Sequence, residues 1–354
     1  MRILVVNHRD PMHPLAGGAE EGLLQIFSRV VKRGVEVTWL CEKFDGAKSE
    51  EWLKGIRILR KGNAATLHLY APLEARKYDA VIDSVAHAAP FFSFLTNQAT
   101  TALIHHVHQD VLKLEMPIVK ASVIGGAEKG VRLYKRFIAK SKATQNDLIK
   151  KIGINEKRIS VIYDGIDHAV YKPGEKSREP MILWLNRFKN YKNPLDAFII
   201  HRKLRSKAKL VIAGYGELKW EVEELTKKNP NTVYVGKVGG ERKVRLYQQA
   251  WVTLSTSYIE GWGLTLVEAN ACGTPVVSYN TGSAQEIIVH GKNGFLVNYK
   301  DYEQVAKSLD YILEDENTMM NMAKQSHDLS LKYDWEKTAE KYVEYVQKLV
   351  ENPV

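Results

Sequence analysis

Cysteine is almost absent. Cys41 and Cys272 are the two in the chain, far apart and each in an apolar context. They make no disulfide framework and no thiolate metal cluster; small buried thiols in a reducing compartment are the expectation. Long hydrophobic runs are missing too. The longest, Ala86 to Leu95, is broken by His87, Pro90 and Ser93 and falls well short of the ~20 residues that span a bilayer. The opening Met1-Arg2-Ile3-Leu4-Val5-Val6-Asn7 is a short apolar strand stopped at once by His8, Arg9 and Asp10. It lacks the apolar region and small-residue cleavage site of a signal peptide. The expectation is a cytoplasmic protein, soluble or peripheral on the cytoplasmic face of a membrane. Short-period repeats and low-complexity tracts are also missing. With 45% hydrophobic and 26% charged residues, the composition is that of a folded globular protein.

What is there is enough chain for two cores, since 354 residues exceed what one usually serves. The formal net charge of +10 points to an anionic partner: nucleic acid, an acidic membrane surface or phosphates. No recognition helix or aromatic stacking module is apparent, so nucleic acid is not expected. Short apolar runs alternate with helical periodicity. The first half offers strands at Ile3–Val6, Val35–Leu40, Ala80–Asp83, Ala102–His105, Phe137–Ala139 and Ile159–Ile162. The second offers Met181–Leu185, Leu210–Ala213, Thr232–Val235, Val252–Leu254, Val276–Ser278 and Phe295–Val297. Strands alternating with helices build parallel sheet from βαβ units. The stretch from Tyr171 to Pro180 is polar and holds Pro173 and Pro180, as a domain junction does. The reading is α/β: a Rossmann-like domain over 1–170, a second over 171–334, and a C-terminal helix over 335–354 expected to pack back on the first.

Four stretches carry candidate chemistry. Gly17 and Gly18 separate the first strand from a helix, where free N–H groups and the helix dipole favour a phosphate; a plain tight turn is the alternative. His105, His106 and His108 end a strand. His105 and His106 point to opposite faces, so site lining or structural histidines are favoured over a metal. Arg187 and Lys192 bracket a polar loop after a strand, able to clamp a diphosphate or to stand in solvent. The most specific stretch runs from Ser257 through Glu260, Gly263, Leu264, Thr265 and Glu268 to Gly273 and Pro275. Glu268 lies about one turn into an apolar helix, where a carboxylate needs a partner. A ribose diol would serve, as would a local cap or ion pair.

Taken together these stretches resemble glycosyltransferase family 4, retaining enzymes of the GT-B fold, over nearly the whole chain. Glu260 and Glu268 match the family's Glu-x7-Glu motif. Ile162-Tyr-Asp-Gly-Ile-Asp167 and Pro173 look like its interdomain segment, with Asp164 where Asn is usual. Arg187 and Lys192 match its phosphate-binding pair, with Asn186 in place of the usual Gly. Gly214-Tyr-Gly216 and Gly236-Lys-Val238 look like the loops near the nucleotide base, and Trp262 replaces a common Phe. The resemblance implies two doubly wound Rossmann-like domains facing each other across a cleft. It implies a nucleotide-diphosphate sugar as donor, with no cofactor and no metal. Gly18, beside Gly17, would offer its amide to the distal phosphate. Arg187 and Lys192 would neutralise the leaving group, and Glu268 would hold the ribose. Glu260 and the amides of Gly263 and Leu264, with Thr265 next to them, would touch sugar and phosphate. Gly214 and Val238 would border the base, and His108 would orient the sugar. Alternatives are a sugar-nucleotide epimerase of the same fold and a catalytically silent nucleotide-sugar-binding protein. The acceptor, expected on the first domain and taken as a lipid-linked or cell-surface glycan precursor, is the least legible part. Lys129, Arg132, Lys135, Arg136, Lys140 and Lys142 follow one another with no acid between them. Residues 129, 132 and 136 would share a helix face, and an anionic membrane is one reading of that face and a solvated basic surface the other.

Overall fold

A computed structural model of the chain describes every residue except His87, Ala88 and Val354, and the side chain of Lys113. His87, one of the breaks in the longest apolar run, thus lies outside the described residues. The chain forms two compact units. Met1–Gly165 and Trp335–Val354 make the first, and Ile166–Asp334 makes the second.

The first unit is an eight-stranded sheet. Its strands are β1 Arg2–Val6, β2 Glu36–Cys41, β3 Glu50–Leu53, β4 Ile56–Arg60, β5 Ala80–Val85, β6 Thr100–Ile104, β7 Phe137–Ala139 and β8 Ile159–Val161. They lie in the order β3-β4-β2-β1-β5-β6-β7-β8, and all pairs are parallel except β3 with β4. A parallel strand covered on both faces reads as an unbroken apolar run. Ile3 to Val6 and Ala80 to Val85 are accordingly buried along their length. The β3–β4 hairpin, turning at Lys54–Gly55, is absent from the sequence reading. Its β3 is Glu-Glu-Trp-Leu, an exposed edge with no core face to mark it.

The second unit is a six-stranded parallel sheet. It comprises β9 Met181–Phe188, β10 Lys209–Gly216, β11 Thr232–Tyr234, β12 Val252–Ser255, β13 Val276–Tyr279 and β14 Gly294–Val297. The order is β11-β10-β9-β12-β13-β14, so strand order reverses between β9 and β12. In open α/β sheets a ligand crevice forms at the carboxyl ends of the strands flanking such a reversal. The first unit has the same reversal between β1 and β5.

The tail is a helix over Trp335–Glu351 that buries Trp335, Ala339, Tyr342, Val346 and Leu349, one face at three- and four-residue spacing. It lies on the helix Gly18–Lys32. Arg29 and Arg33 both reach Glu336, at 2.9 and 2.8 Å, the Phe27 and Tyr342 rings meet edge to face at 5.8 Å, and Thr338 donates to the Tyr163 carbonyl at 2.9 Å. The junction differs from the polar stretch Tyr171–Pro180. The chain enters the second unit at Ile166, because the contacts of the next residues lie there. Ile166 bridges Asp334, His168 Nε2 meets the Tyr333 carbonyl at 2.9 Å, and Tyr171 donates to Glu268 at 3.1 Å.

The expected basic helix is not formed. Lys129–Leu133 makes a short 3-10 turn, and Phe137–Ala139 is the fully buried strand β7, so residues 129, 132 and 136 share no helix face. Lys140 is 1% exposed and ion-pairs with Asp164 inside the unit. Arg132 donates to the Ile152 carbonyl and Arg136 to the Asn352 carbonyl, while Lys142 opens the helix Lys142–Asp147. Alternating basic and apolar residues gave a helical period where the sheet required an extended strand between β6 and β8. Asp164 is thereby explained: a buried ammonium needs a charged partner, which the usual Asn would not supply.

Candidate active site

In the second unit two loops leave the reversal point, after β9 and after β12, and are bolted together. The Thr256 hydroxyl accepts from Trp184 Nε1 at 2.8 Å and donates to the Lys192 carbonyl at 2.8 Å. Asn193, in left-handed backbone at φ 46°, donates to the Thr256 carbonyl at 3.0 Å. This brings Lys192 onto Glu260, Nζ to Oε1 at 2.6 Å, with side chains only 9% and 11% exposed. Ser257 and Asn186 donate to the same oxygen at 2.8 and 3.3 Å. Gly282 holds the far side of the loop. Its φ is +51°, and a Cβ there would collide with the Glu260 carbonyl oxygen.

The electrostatics keep Lys192 charged. Burial pushes its ammonium down, but the Glu260 carboxylate, with Tyr191 behind it, outweighs burial, and its pKa stands above the ordinary lysine value. Arg187, near enough to oppose that charge, is half-buried at the end of β9. Its backbone N–H donates to Asn186 Oδ1 at 2.9 Å. Its guanidinium carries no side-chain hydrogen bond among the described residues. Asn186 thus joins the Arg187 backbone to the Glu260 carboxylate, a role glycine could not fill.

Glu268 sits in the helix Leu264–Ala271 and is buried. Its local partners are more numerous than an isolated site carboxylate would have. Oε1 accepts from Lys243 Nζ at 2.5 Å and from Tyr171 at 3.1 Å, and Oε2 accepts from Tyr247 at 2.9 Å. A carboxylate has about four acceptor positions; a diol needing two would have to share with, or displace, one of these donors. Lys243 has the room to move aside, since its side chain is 22% exposed while Tyr247 is fully buried.

The backbone donors are also partly engaged. The Gly263 amide donates to Ser283 Oγ at 3.1 Å and the Leu264 amide to the Trp262 carbonyl at 2.9 Å. The expectation that these two would touch sugar and phosphate therefore meets occupied donors. Thr265 is the next amide of that first turn. On the base side, Gly214 and Gly216 pair with Asn186 and Phe188 of β9, and a Cβ on Gly214 would collide with the Asn186 carbonyl oxygen. That glycine is required by strand approach whatever it binds. Val238 follows β11 in a loop before the helix Gly240–Gln249.

In the first unit, β1 leads through Asn7 to the helix Gly18–Lys32. Glu20 turns back and accepts from the Gly17 amide at 2.7 Å and from Asn7 Nδ2 at 3.1 Å. Gly17 is thus spoken for, and Gly18 stands as the first helical amide. His108 is pinned on both ring nitrogens: Nδ1 lies 2.9 Å from Glu128 Oε1 and Nε2 lies 3.1 Å from the Ala86 carbonyl. Its backbone N–H also donates to Glu128 at 2.6 Å. The His106 ring lies tilted against it, with centroids 4.1 Å apart, whereas His105 turns to Ser84 at 2.9 Å. Among the described residues no group of three or more His, Cys, Asp or Glu is placed to hold a metal ion. Glu128, Lys243, Tyr171 and Tyr247 escaped the sequence reading, because each acts on a residue distant from it in the chain.

Two parallel-sheet units, each with a strand-order reversal, have the GT-B architecture, and the family matches are to glycosyltransferases. Residues 167–328 match the family described as Glycosyl transferases group 1 and residues 16–170 match Glycosyltransferase Family 4. Together the two glycosyltransferase models, Glycosyltransferase Family 4 among them, take in residues 16–328. An uncharacterized glycosyltransferase of Methanocaldococcus jannaschii is 30% identical over 231 residues, 59% of this chain and 58% of that protein. The N,N'-diacetylbacillosaminyl-diphospho-undecaprenol alpha-1,3-N-acetylgalactosaminyltransferase of Campylobacter jejuni is 26% identical over 208 residues, 58% of this chain and 55% of that protein. The chain thus spans little more than half the length of either relative. Among solved structures, sucrose-phosphate synthase from Thermosynechococcus elongatus superposes with a TM-score of 0.83 at 18% identity, covering 98% of each chain, a likeness of fold.

Proposed function

We propose that this protein is a retaining, metal-independent glycosyltransferase. It moves a sugar from a nucleotide-diphosphate donor to a lipid-linked glycan precursor at the cytoplasmic face of a membrane. The observation that carries the reading is the buried, charged Lys192 held on Glu260 beside the guanidinium of Arg187, which has no side-chain hydrogen bond among the described residues. Two cations at the carboxyl end of a parallel sheet suit a diphosphate, and they supply the charge that a metal supplies elsewhere. In the reaction the bond from the anomeric carbon to the diphosphate breaks. The acceptor hydroxyl attacks from the face being vacated, and its proton passes to the departing phosphate oxygen. Arg187 and Lys192 take up the growing charge, and catalysis is positioning and leaving-group stabilisation. Glu268 holds the ribose, with Lys243 giving way to it. Gly18 and Thr265 offer amides to the phosphates, Gly214 and Val238 border the base, and His108, held by Glu128, orients the sugar. The lipid-linked acceptor is supported by the Campylobacter relative, whose name places its acceptor on a diphospho-undecaprenol.

Calorimetry with a panel of nucleoside diphosphates, without divalent metal, tests the donor site. Micromolar binding of one of them, lost in Lys192→Met, is the expected outcome. Binding by none of them, or binding that survives the substitution, would defeat the assignment.

A further inference from the structure

The helix Ile118–Glu128 of the first unit presents its apolar side chains outward. Ile118, Val119 and Val123 are 75%, 74% and 69% exposed, and Leu133 just beyond the helix is 61% exposed. The inward side is made by Ala121 and Glu128, and Gly125 lies against Leu112. An ordinary surface helix is arranged the other way, with its large apolar residues toward the core. Exposed charge within Pro117–Arg136 has one sign, and Glu115, half-buried, precedes that segment. Lys120, Lys129 and Lys135 are exposed, and between Pro117 and Arg136 the single acid, Glu128, is buried.

We propose that this helix is an interfacial anchor for an anionic lipid bilayer, its Ile118-Val119-Val123 face entering the headgroup–acyl boundary and its lysines binding lipid phosphates. Charge and composition choose the bilayer over a protein partner. A protein-binding patch is normally built on Tyr, Trp or Arg anchors; here the exposed set is aliphatic and lysine apart from Arg132, whose guanidinium is tied to the Ile152 carbonyl. Lys129, Arg132 and Lys135, the exposed part of the basic stretch, thus act as the rim of an apolar anchor rather than as a helix face of their own. The same helix ends at Glu128, which holds His108 by its ring and its backbone amide. An 11-residue helix is about 16 Å long, so a bilayer on its exposed face lies within reach of the histidine. A lipid-linked acceptor would be presented there. This last link, unlike the anchor itself, rests on the transferase reading above.

The test is co-sedimentation of the whole protein with vesicles of phosphatidylcholine containing about one-third phosphatidylglycerol, and with phosphatidylcholine alone. Binding to the anionic vesicles that weakens with salt, and falls at least about tenfold in Val119→Asp/Val123→Asp, is expected. Both positions are exposed, so the double variant should keep the wild-type circular dichroism and nucleoside-diphosphate affinity. Absence of binding to anionic vesicles, or equal binding by the double variant, overturns the proposal. So does a concentration-dependent dimer that the double variant abolishes, since a second copy would then cover the face. Vesicle binding without any nucleotide binding would leave the anchor standing and remove the transferase reading.

Discussion

Replacing Lys192 by Met keeps most of the side-chain volume and removes one charge. The ammonium sits 2.6 Å from Glu260 Oε1, with both side chains about nine-tenths enclosed. Breaking a buried ion pair by deleting one partner typically costs ~3–5 kcal/mol. Here Ser257 and Asn186 remain on the orphaned oxygen and solvent reaches part of the carboxylate, so about 2–3 kcal/mol is expected. For a unit of this size that is a fall of roughly 4–10 °C in its Tm. Adding Glu260→Gln removes the orphaned charge, and the double variant should recover a good part of the loss. Denaturant unfolding of the wild type, the two single variants and the double variant measures the coupling directly. Calorimetry on the same four proteins reads the second consequence: a lost charge-assisted bond to phosphate, worth about ten- to a hundredfold in affinity. Stabilities that add within about 0.5 kcal/mol would show that the pair is not energetically coupled. Unchanged nucleotide affinity in Lys192→Met would refute its role as a phosphate ligand.

Further outcomes follow from the other buried groups. Lys243→Met and Glu268→Gln should each destabilise the protein while the double variant loses less than their sum, because one carboxylate joins Lys243, Tyr171 and Tyr247; strict additivity in urea unfolding would break that account. Glu128→Gln should lower transfer by about tenfold with donor affinity unchanged, since it loosens His108 without touching the diphosphate site; normal turnover would show that the histidine's orientation is immaterial. Burial raises the pKa of Asp83 to about 6, against the opposing hydrogen bonds of Tyr134 and Ser93. The folded state therefore holds its proton more tightly than the unfolded chain. Its cost to stability is absent below about pH 4, grows with pH, and is complete above about pH 6, on the order of 3 kcal/mol. Asp83→Asn should remove that slope, seen as a stability difference between variant and wild type that widens from pH 4 to 6; a difference flat across that range would contradict it.

Much of the architecture was legible because its signals are local. Parallel strands buried on both faces, such as Ile3 to Val6 in β1 and Ala80 to Val85 in β5, announce themselves as apolar segments, and the helix Leu264–Ala271 was bounded by Gly263 and Gly273. Elements without a core-facing pattern were not legible. The β3 edge strand has no buried face, and Phe137–Ala139, legible as a short apolar strand, gave no sign that the basic residues before it leave the helix at Lys129. The Glu-x7-Glu spacing and the Arg187–Lys192 pair were visible as motifs, but motif spacing is silent about which donors each carboxylate meets.

By itself the sequence determined the α/β class, the family resemblance and the identity of the charged residues, because periodicity, turn residues and motif spacing are written along the chain. The tertiary structure alone decided which charges are buried together. It put Lys192 on Glu260, Lys243 on Glu268 and Lys140 on Asp164. It also turned the apolar side chains of Ile118–Glu128 outward. These pairings join residues tens of positions apart, and whether a lysine is a phosphate ligand, a core strut or a membrane contact depends on the dielectric and the partner it finds after folding.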